Sequence, residues 1–120
     1  MLPGFDEPPD FVIPFPKLTH YLLHPEGAAP AKAKFFTGHG FNRKAPIDLA
    51  QALWRHARLA HDRSVRIVPF GKNLVFDGPI ATPNGTHPAI LSVWHMPDRN
   101  PHHIARFVTA YPSSGQFARR

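Results

Sequence analysis

The sequence contains no cysteine among its 120 residues. Disulfide bonds and thiolate metal sites are therefore excluded, and the redox compartment stays open. The longest apolar run is far too short to span a bilayer, and the segment Met1–Asp6 lacks the basic start and apolar stretch of a secretion signal. We therefore expect a soluble, cytoplasmic protein with no membrane segment.

Acidic residues are scarce, with eight Asp and Glu against fourteen Lys and Arg, for a formal net charge of +6. Asp6, Glu7 and Asp10 lie in a proline-rich start, and Asp48 and Asp62 flank a predicted helix. No carboxylate cluster remains for a paired-carboxylate hydrolase or a two-metal nuclease, and no Walker loop, dinucleotide fingerprint or serine nucleophile elbow occurs. The basic excess suggests RNA or an acidic protein as partner, although many small domains are basic for solubility alone.

The length fits one compact domain. Prolines forbid a helix in the first sixteen residues, so 1–16 is predicted to be an extended arm, 17–112 a single α+β domain and 113–120 a flexible C-terminal tail. Helical patterns come first and strand patterns last. This order predicts N-terminal helices packed on a four-stranded antiparallel β-sheet meander.

The periodicity of apolar residues predicts the individual elements. Helices are expected from Lys17 to before Pro25, over Ala31–Thr37 with Gly38 as C-cap, and from Pro46 to about His61. The third helix is expected to bury Ala50, Leu53, Trp54, Ala57 and Ala60. Strands are expected at Ser64–Phe70, Leu74–Asp77, Ala89–Met96 and His103–Tyr111, with turns at Gly71–Asn73 and Thr82–Gly85.

The last predicted strand ends in the hexapeptide Phe107–Pro112, which carries two hydroxyl groups, those of Thr109 and Tyr111. In a regular strand both share a face with Ala105 and Phe107, whereas Ile104, Arg106, Val108 and Ala110 share the other. We expect the second set in the core and the two hydroxyls on the face that the helices leave open. Only a bulge would bring Arg106 to that face. Thr and Tyr are also ordinary strand formers, so a purely structural role stays open.

The sequence contains nine histidines, which raises the question of a metal site. His20 and His24 have the spacing of a helical ligand pair, but no third ligand follows at a telling distance. We therefore expect no metal and no cofactor. The pair His102–His103 could supply a base near Thr109 or lie in a surface loop, and Trp94 is expected in the core rather than as a base-stacking platform.

Several motifs together resemble a family of small uncharacterised bacterial domains, which occur as short stand-alone proteins encoded beside a smaller partner or as C-terminal modules of large toxins. In chain order the motifs are KLTHYLLHP at 17–25, KAKFF at 32–36, GF at 40–41, GPI at 78–80, TPNG at 82–85, VW at 93–94 and VTAYP at 108–112. The resemblance spans Val12 to Pro112 and is carried by the set rather than by any single motif.

Helices followed by a four-stranded sheet with a Thr-Ala-Tyr-Pro ending are also similar to the toxin ribonuclease superfamily that includes barnase, EndoU, the tRNase colicins and RelE. This resemblance implies a metal-independent endoribonuclease, in which an RNA 2′-hydroxyl attacks its own phosphodiester. It implies that Lys32 stabilises the phosphate charge and that Thr109 and Tyr111 donate hydrogen bonds, with Tyr111 as a proton shuttle. Further cations would hold the RNA backbone, namely Lys17, Lys34 and Arg106.

The resemblance also implies an RNA substrate and a small acidic antitoxin or immunity protein that covers the basic cleft. We favour the enzyme, a toxin of a toxin–antitoxin or polymorphic-toxin system. The alternative is a non-catalytic domain that uses the same face to bind protein or RNA. Lysines on a short surface helix are usually just solvated, and for Lys34 this reading is equally open.

Overall fold

The computed structural model describes residues 9–59 and 62–113. A π-helical turn at Leu18–Leu22 precedes helices α1, Pro30–Gly38, and α2, Pro46–Leu59. The strands are β1 Asp10–Val12, β2 Asp62–Val68, β3 Gly71–Pro79, β4 Ala89–Pro97 and β5 Ile104–Pro112. In these two ranges no helix is long and apolar enough to cross a membrane. Most of the predicted tail, from residue 114 onward, and the first eight residues of the predicted arm lie outside them.

The strands form one sheet in the order β1-β5-β4-β3-β2. The prediction of an α+β fold is confirmed, but the prediction of four strands in an all-antiparallel meander is wrong. The additional strand, β1, pairs in parallel with β5, and Phe11 lies opposite Ala105. Asp10–Val12 can join the sheet because it is a short proline-free stretch between Pro9 and Pro14, so its backbone N–H groups are free to donate.

The core lies on one face of the sheet and is centred on Trp94, which is fully buried. Its indole makes edge contacts with Phe11 and Phe107, at centroid distances of 4.9 and 5.2 Å. The predicted core position of Trp94 is therefore confirmed. The π-turn and the two helices cover this face with fully buried side chains, among them Leu18, Leu22, Phe36, Leu49 and Leu53.

Helix α1 ends in a Schellman motif. The Phe41 N–H donates to the Phe36 carbonyl at 3.2 Å, and the Gly40 N–H donates to the Thr37 carbonyl at 3.0 Å. Gly40 adopts φ +99°, and a Cβ at this position would lie 3.1 Å from the Asn84 nitrogen. The predicted cap, Gly38, is instead the last helical residue. The glycine that ends the helix is the one that both the positive φ and the close packing require.

Helix α2 buries Ala50, Leu53 and Ala57 as predicted, but not Trp54; Ala60 and His61, at the predicted end of the helix, lie outside the described residues. Trp54 is 42% exposed and the Arg58 guanidinium lies 4.7 Å above its ring. At about 100° per residue, Trp54 falls at the margin of the stripe that contains Leu53, which explains the wrong prediction. Buried in its place is His56, which the pattern did not indicate.

His56 joins α2 to the sheet through a buried hydrogen-bond network. Its Nε2–H donates to the Gly78 carbonyl at 3.1 Å, and its Nδ1 accepts from the Ser92 hydroxyl at 2.9 Å. Because a carbonyl only accepts, the proton resides on Nε2. Ser92 in turn accepts the Trp94 indole N–H at 3.0 Å. The network satisfies the polar groups that the core encloses.

Of the two predicted turns, the structure contains one. The Thr82–Gly85 turn is confirmed, with the Gly85 N–H donating to the Thr82 carbonyl at 3.0 Å and Gly85 at φ +87°. The turn predicted at Gly71–Asn73 is wrong, because β2 and β3 pair up to Val68 and Gly71. Gly71 lies within β3, where a Cβ would collide with the backbone of β4. The two-residue loop is Pro69–Phe70.

A β-bulge changes which side chains of β5 face the core. Val93 pairs with Thr109 while the next residue, Trp94, pairs with Phe107, so Val108 is the extra residue. The prediction from strict alternation is therefore wrong before the bulge. Ala105 and Phe107 are buried together with Ala110, and Arg106 is exposed rather than in the core. Past the bulge, Thr109 and Tyr111 alternate with the buried Ala110, as predicted. The expectation that the helices leave both hydroxyls open is wrong at Thr109, which contacts Tyr21 and Lys32.

Substitution of Phe11 tests whether β1 belongs to the folded core. Phe11→Ala removes a 9% exposed ring from its contacts with Trp94 and Phe76. We expect it to lower the free energy of unfolding by about 3 kcal/mol, measured by urea denaturation. The control, Phe15→Ala, removes a 45% exposed ring from the same segment, and we expect a loss below about 1 kcal/mol. Equal losses would contradict the docking of β1.

Candidate functional site

Three side chains from three separate elements meet in a closed triangle of hydrogen bonds. The Lys32 ammonium, on α1, donates to the Tyr21 Oη at 2.8 Å and to the Thr109 Oγ1 at 3.0 Å. The two hydroxyl oxygens lie 3.1 Å apart, so they also hydrogen-bond to each other. All three side chains are half-buried. We call Tyr21, Lys32, Thr109 and the adjacent Tyr111 the lysine cluster.

The local folding of each element explains why these groups converge. In the π-turn the Leu23 N–H donates to the Leu18 carbonyl at 2.8 Å, and this wide turn buries Leu18 and Leu22 while Tyr21 stays half-buried. Single π-turns occur often at functional sites. Helix α1 starts at Pro30, whose fixed φ suits the first helical position. Its inward residues, Ala33 and Phe36, orient the helix so that Lys32 reaches β5.

Both tyrosines of the chain lie around the same ammonium group. The Lys32 Nζ is 5.3 Å from the centroid of the Tyr21 ring and 5.3 Å from that of the Tyr111 ring. These distances are within cation–π range. The Lys17 Nζ lies 5.9 Å from the Tyr21 ring centroid, which adds a second positive charge. The cluster therefore combines one cation with three hydroxyl groups, and Lys17 adds a second cation beside it.

Neighbouring charges and hydrogen bonds lower the pKa of the Tyr21 phenol. Burial raises the pKa of its phenol, but hydrogen bonds from Lys32 and Thr109, together with the charges of Lys32 and Lys17, outweigh that effect. The net result is a pKa below the ordinary value of 10.0. Cations that stabilise a phenolate make this phenol easier to ionise, so more of it is deprotonated at a given pH.

The structure brings together some of the predicted site residues but not all. Lys32 and Thr109 are in direct contact, and Tyr111 and Lys17 lie beside them. Lys34 is exposed and lies two positions after Lys32, so it points about 200° away around the helix. Arg106 is exposed three residues before Thr109, about 10 Å along the strand. Their predicted contacts with RNA would lie outside the cluster.

The histidines that the sequence singled out lie away from the cluster or on its margin. His103 lies in the loop directly before β5. It is six residues before Thr109, which corresponds to about 20 Å along the strand. A role as a base next to Thr109 is therefore excluded by distance. His20 is exposed, and His24 accepts the Glu26 N–H at 3.1 Å through Nδ1. Among the described residues, no group of three His, Asp or Glu side chains is placed to hold a metal ion.

Sequence reasoning missed Tyr21. Leu18, Tyr21 and Leu22 recur at helical spacing, so Tyr21 falls on the apolar side of the predicted first helix. Strand and helix patterns carry no information on which distant residues meet. One signal was present: a hydroxyl-bearing residue on an otherwise apolar stripe, in a chain with only two tyrosines. The second tyrosine, Tyr111, is itself a predicted site residue.

A separate cleft of about 430 Å³ lies between α2 and the segment after β3. Its rim carries Asp48, Gln51 and Arg55, and its opposite wall is formed by residues 79–83. It shares no lining residue with the lysine cluster. The cluster is therefore distinguished by its chemistry rather than by the size of a cavity.

Comparison with known proteins adds a family and a fold. The chain belongs to the family described as domain of unknown function (DUF6883), whose model matches residues 6–114. No curated protein matches this sequence. Among solved structures, it is similar to a chain of a "Contact-dependent growth inhibition toxin - immunity protein complex from Klebsiella pneumoniae 342". The match has a TM-score of 0.60 and 14% identity and covers 85% of this chain and 99% of that one. At this identity the likeness shows a common fold.

The chain offers a direct measurement of the Tyr21 pKa. Because it has only two tyrosines, Tyr111→Phe leaves Tyr21 as the sole phenol. We expect its ultraviolet titration midpoint to lie below 10.0, and Lys32→Met in the same background to raise it, because the donor and the charge are lost. A midpoint that Lys32→Met leaves unchanged would show that the two groups do not interact in solution.

Proposed function

We propose that this protein is a toxin-like, metal-independent endoribonuclease whose active site is the lysine cluster. The observation that carries the proposal is the contact of Lys32 with Tyr21 and Thr109, at 2.8 and 3.0 Å. A half-buried ammonium beside several hydroxyl groups is suited to an anion that gains charge during a reaction. The phosphorane formed during RNA cleavage is such an anion.

The reaction starts with attack of a 2′-hydroxyl on the neighbouring phosphorus. As the pentavalent phosphorane forms, its non-bridging oxygens gain negative charge, which Lys32 neutralises and Thr109 stabilises with a hydrogen bond. Tyr111 donates a proton to the departing 5′-oxygen. The products are a 2′,3′-cyclic phosphate and a free 5′-hydroxyl. Lys17 is placed to hold the adjoining RNA backbone, and more distant backbone contacts fall to Lys34 and Arg106.

The charge of the whole chain supports an RNA substrate. A net charge of +6 favours association with a polyanion and makes binding dependent on salt concentration. The cluster lies where the π-turn, α1 and β5 meet, and its side chains are half-buried rather than enclosed. A single-stranded RNA segment could therefore reach the ammonium group without rearrangement of the core.

The toxin context is supported by the fold. The similar chain comes from a complex of a growth inhibition toxin with an immunity protein. A ribonuclease of this kind needs an inhibitor in the cell that makes it, and the basic charge of this chain supports its assignment as the toxin of such a pair. The inhibitor would be small and acidic, would cover the lysine cluster, and would act in the cytoplasm where the RNA substrate is.

Expression in a bacterial host tests the proposal. Production of the protein without an inhibitor is expected to stop growth, and the purified protein is expected to cleave total RNA in the presence of EDTA. Lys32→Ala is expected to lower the cleavage rate at least about 100-fold, because one charged donor to the transition state is removed.

Lys44→Ala is the matched control, since it removes the same charge from an exposed loop position. It is expected to retain the rate within about threefold. If growth and RNA are both unaffected while the protein still binds RNA, the non-catalytic binding domain is the correct function. Cleavage that EDTA abolishes would contradict the metal-free mechanism.

A further inference from the structure

We propose that Tyr21 is the catalytic base, the group that takes the proton from the attacking 2′-hydroxyl. The inference rests on the proposed ribonuclease function and deepens it by assigning a proton acceptor that the sequence did not indicate. It is carried by the position of the Tyr21 oxygen within the hydrogen-bonded triangle.

The hydrogen bonds to the Tyr21 oxygen favour its deprotonated form. An ammonium group only donates, so Lys32 donates to both hydroxyl oxygens. Either hydroxyl can donate between Tyr21 and Thr109 at 3.1 Å, but a Tyr21 phenolate has no hydrogen, so in that form Thr109 is the donor. The Tyr21 oxygen then accepts two hydrogen bonds. Two donors on one phenol oxygen stabilise its deprotonated form.

The charged and titratable groups around Tyr21 act in the same direction. Lys32 faces it from α1, Lys17 faces it from the segment before the π-turn, and Tyr111 on β5 faces the same ammonium. Both cations favour a phenolate, and the pKa of Tyr21 is lowered accordingly. Both tyrosine rings lie 5.3 Å from the Lys32 ammonium, but in the described part of the chain only the Tyr21 oxygen accepts a hydrogen bond from it. Of the two tyrosines, Tyr21 is therefore the one prepared to accept a proton.

In the proposed step the Tyr21 phenolate takes the proton from the 2′-hydroxyl while the 2′-oxygen forms its bond to phosphorus. Tyr21 is then a phenol, and the Thr109 hydrogen turns from it to a phosphorane oxygen. The bond from phosphorus to the 5′-oxygen then breaks, and that oxygen takes a proton from Tyr111. Tyr21 ends as a phenol and Tyr111 as a phenolate. Exchange with solvent restores both before the next turnover, so no oxidant, reductant or metal ion enters the balance.

The pH dependence of RNA cleavage in EDTA tests the assignment. For the wild type we expect the rate to rise tenfold per pH unit and to level off at the pKa of Tyr21 measured by ultraviolet titration. Tyr21→Phe is expected to lose 100-fold or more of the rate and to lose this rise, with an unchanged melting temperature as the check on folding.

A second variant separates a base from a merely structural phenol. In the Tyr111→Phe background, incorporation of 3-fluorotyrosine labels Tyr21 alone and acidifies its phenol. The titration midpoint and the levelling-off point of the residual rate are expected to move to lower pH together. If Tyr21→Phe keeps the rate within about threefold, or the two midpoints move independently, the assignment to Tyr21 is wrong while the ribonuclease stands. A wild type that cleaves no RNA overturns both.

Discussion

The interaction on which the candidate site depends is the pair of hydrogen bonds from Lys32 to Tyr21 and Thr109, at 2.8 and 3.0 Å. It joins the π-turn, helix α1 and strand β5 around one half-buried charge. A charge removed from water is costly unless it is hydrogen-bonded, so the two hydroxyls offset part of that cost and fix the ammonium in place. The same arrangement that holds the three elements together leaves a cation prepared for an anionic ligand.

Much of the fold could be predicted because it follows from local patterns. The order of helices and strands, the amphipathic α2 and the Thr82–Gly85 turn depend on residues close together in the chain. β1 could not be predicted in the same way, since Asp10–Val12 is too short to show a period and its partner lies some ninety residues away. The bulge at Val108 is likewise created by pairing with β4 and leaves no mark in the sequence of β5.

The candidate site, like the fold, could be predicted only in part. Lys32, Thr109 and Tyr111 were predicted through a family resemblance, and the structure brings all three together. Tyr21 was not predicted, because its contact with Thr109 on β5 forms only when the chain folds and leaves no local pattern in the sequence. For His103 the sequence left a base near Thr109 and a surface loop both open, and its exposed position before β5, about 20 Å along the strand from Thr109, agrees with the loop. The sequence therefore predicted three of the four residues of the lysine cluster, but not Tyr21.

The central claim is that the lysine cluster is where RNA is bound and cut. The most direct measurement is an NMR titration with a short 2′-O-methyl RNA, which binds but lacks the attacking hydroxyl. The account predicts that the largest chemical-shift changes, with contacts to a bound phosphate, lie at Tyr21, Lys32 and Thr109. Shift changes centred instead on Asp48 and Arg55, in the cleft between α2 and residues 79–83, with the cluster unperturbed, would contradict it.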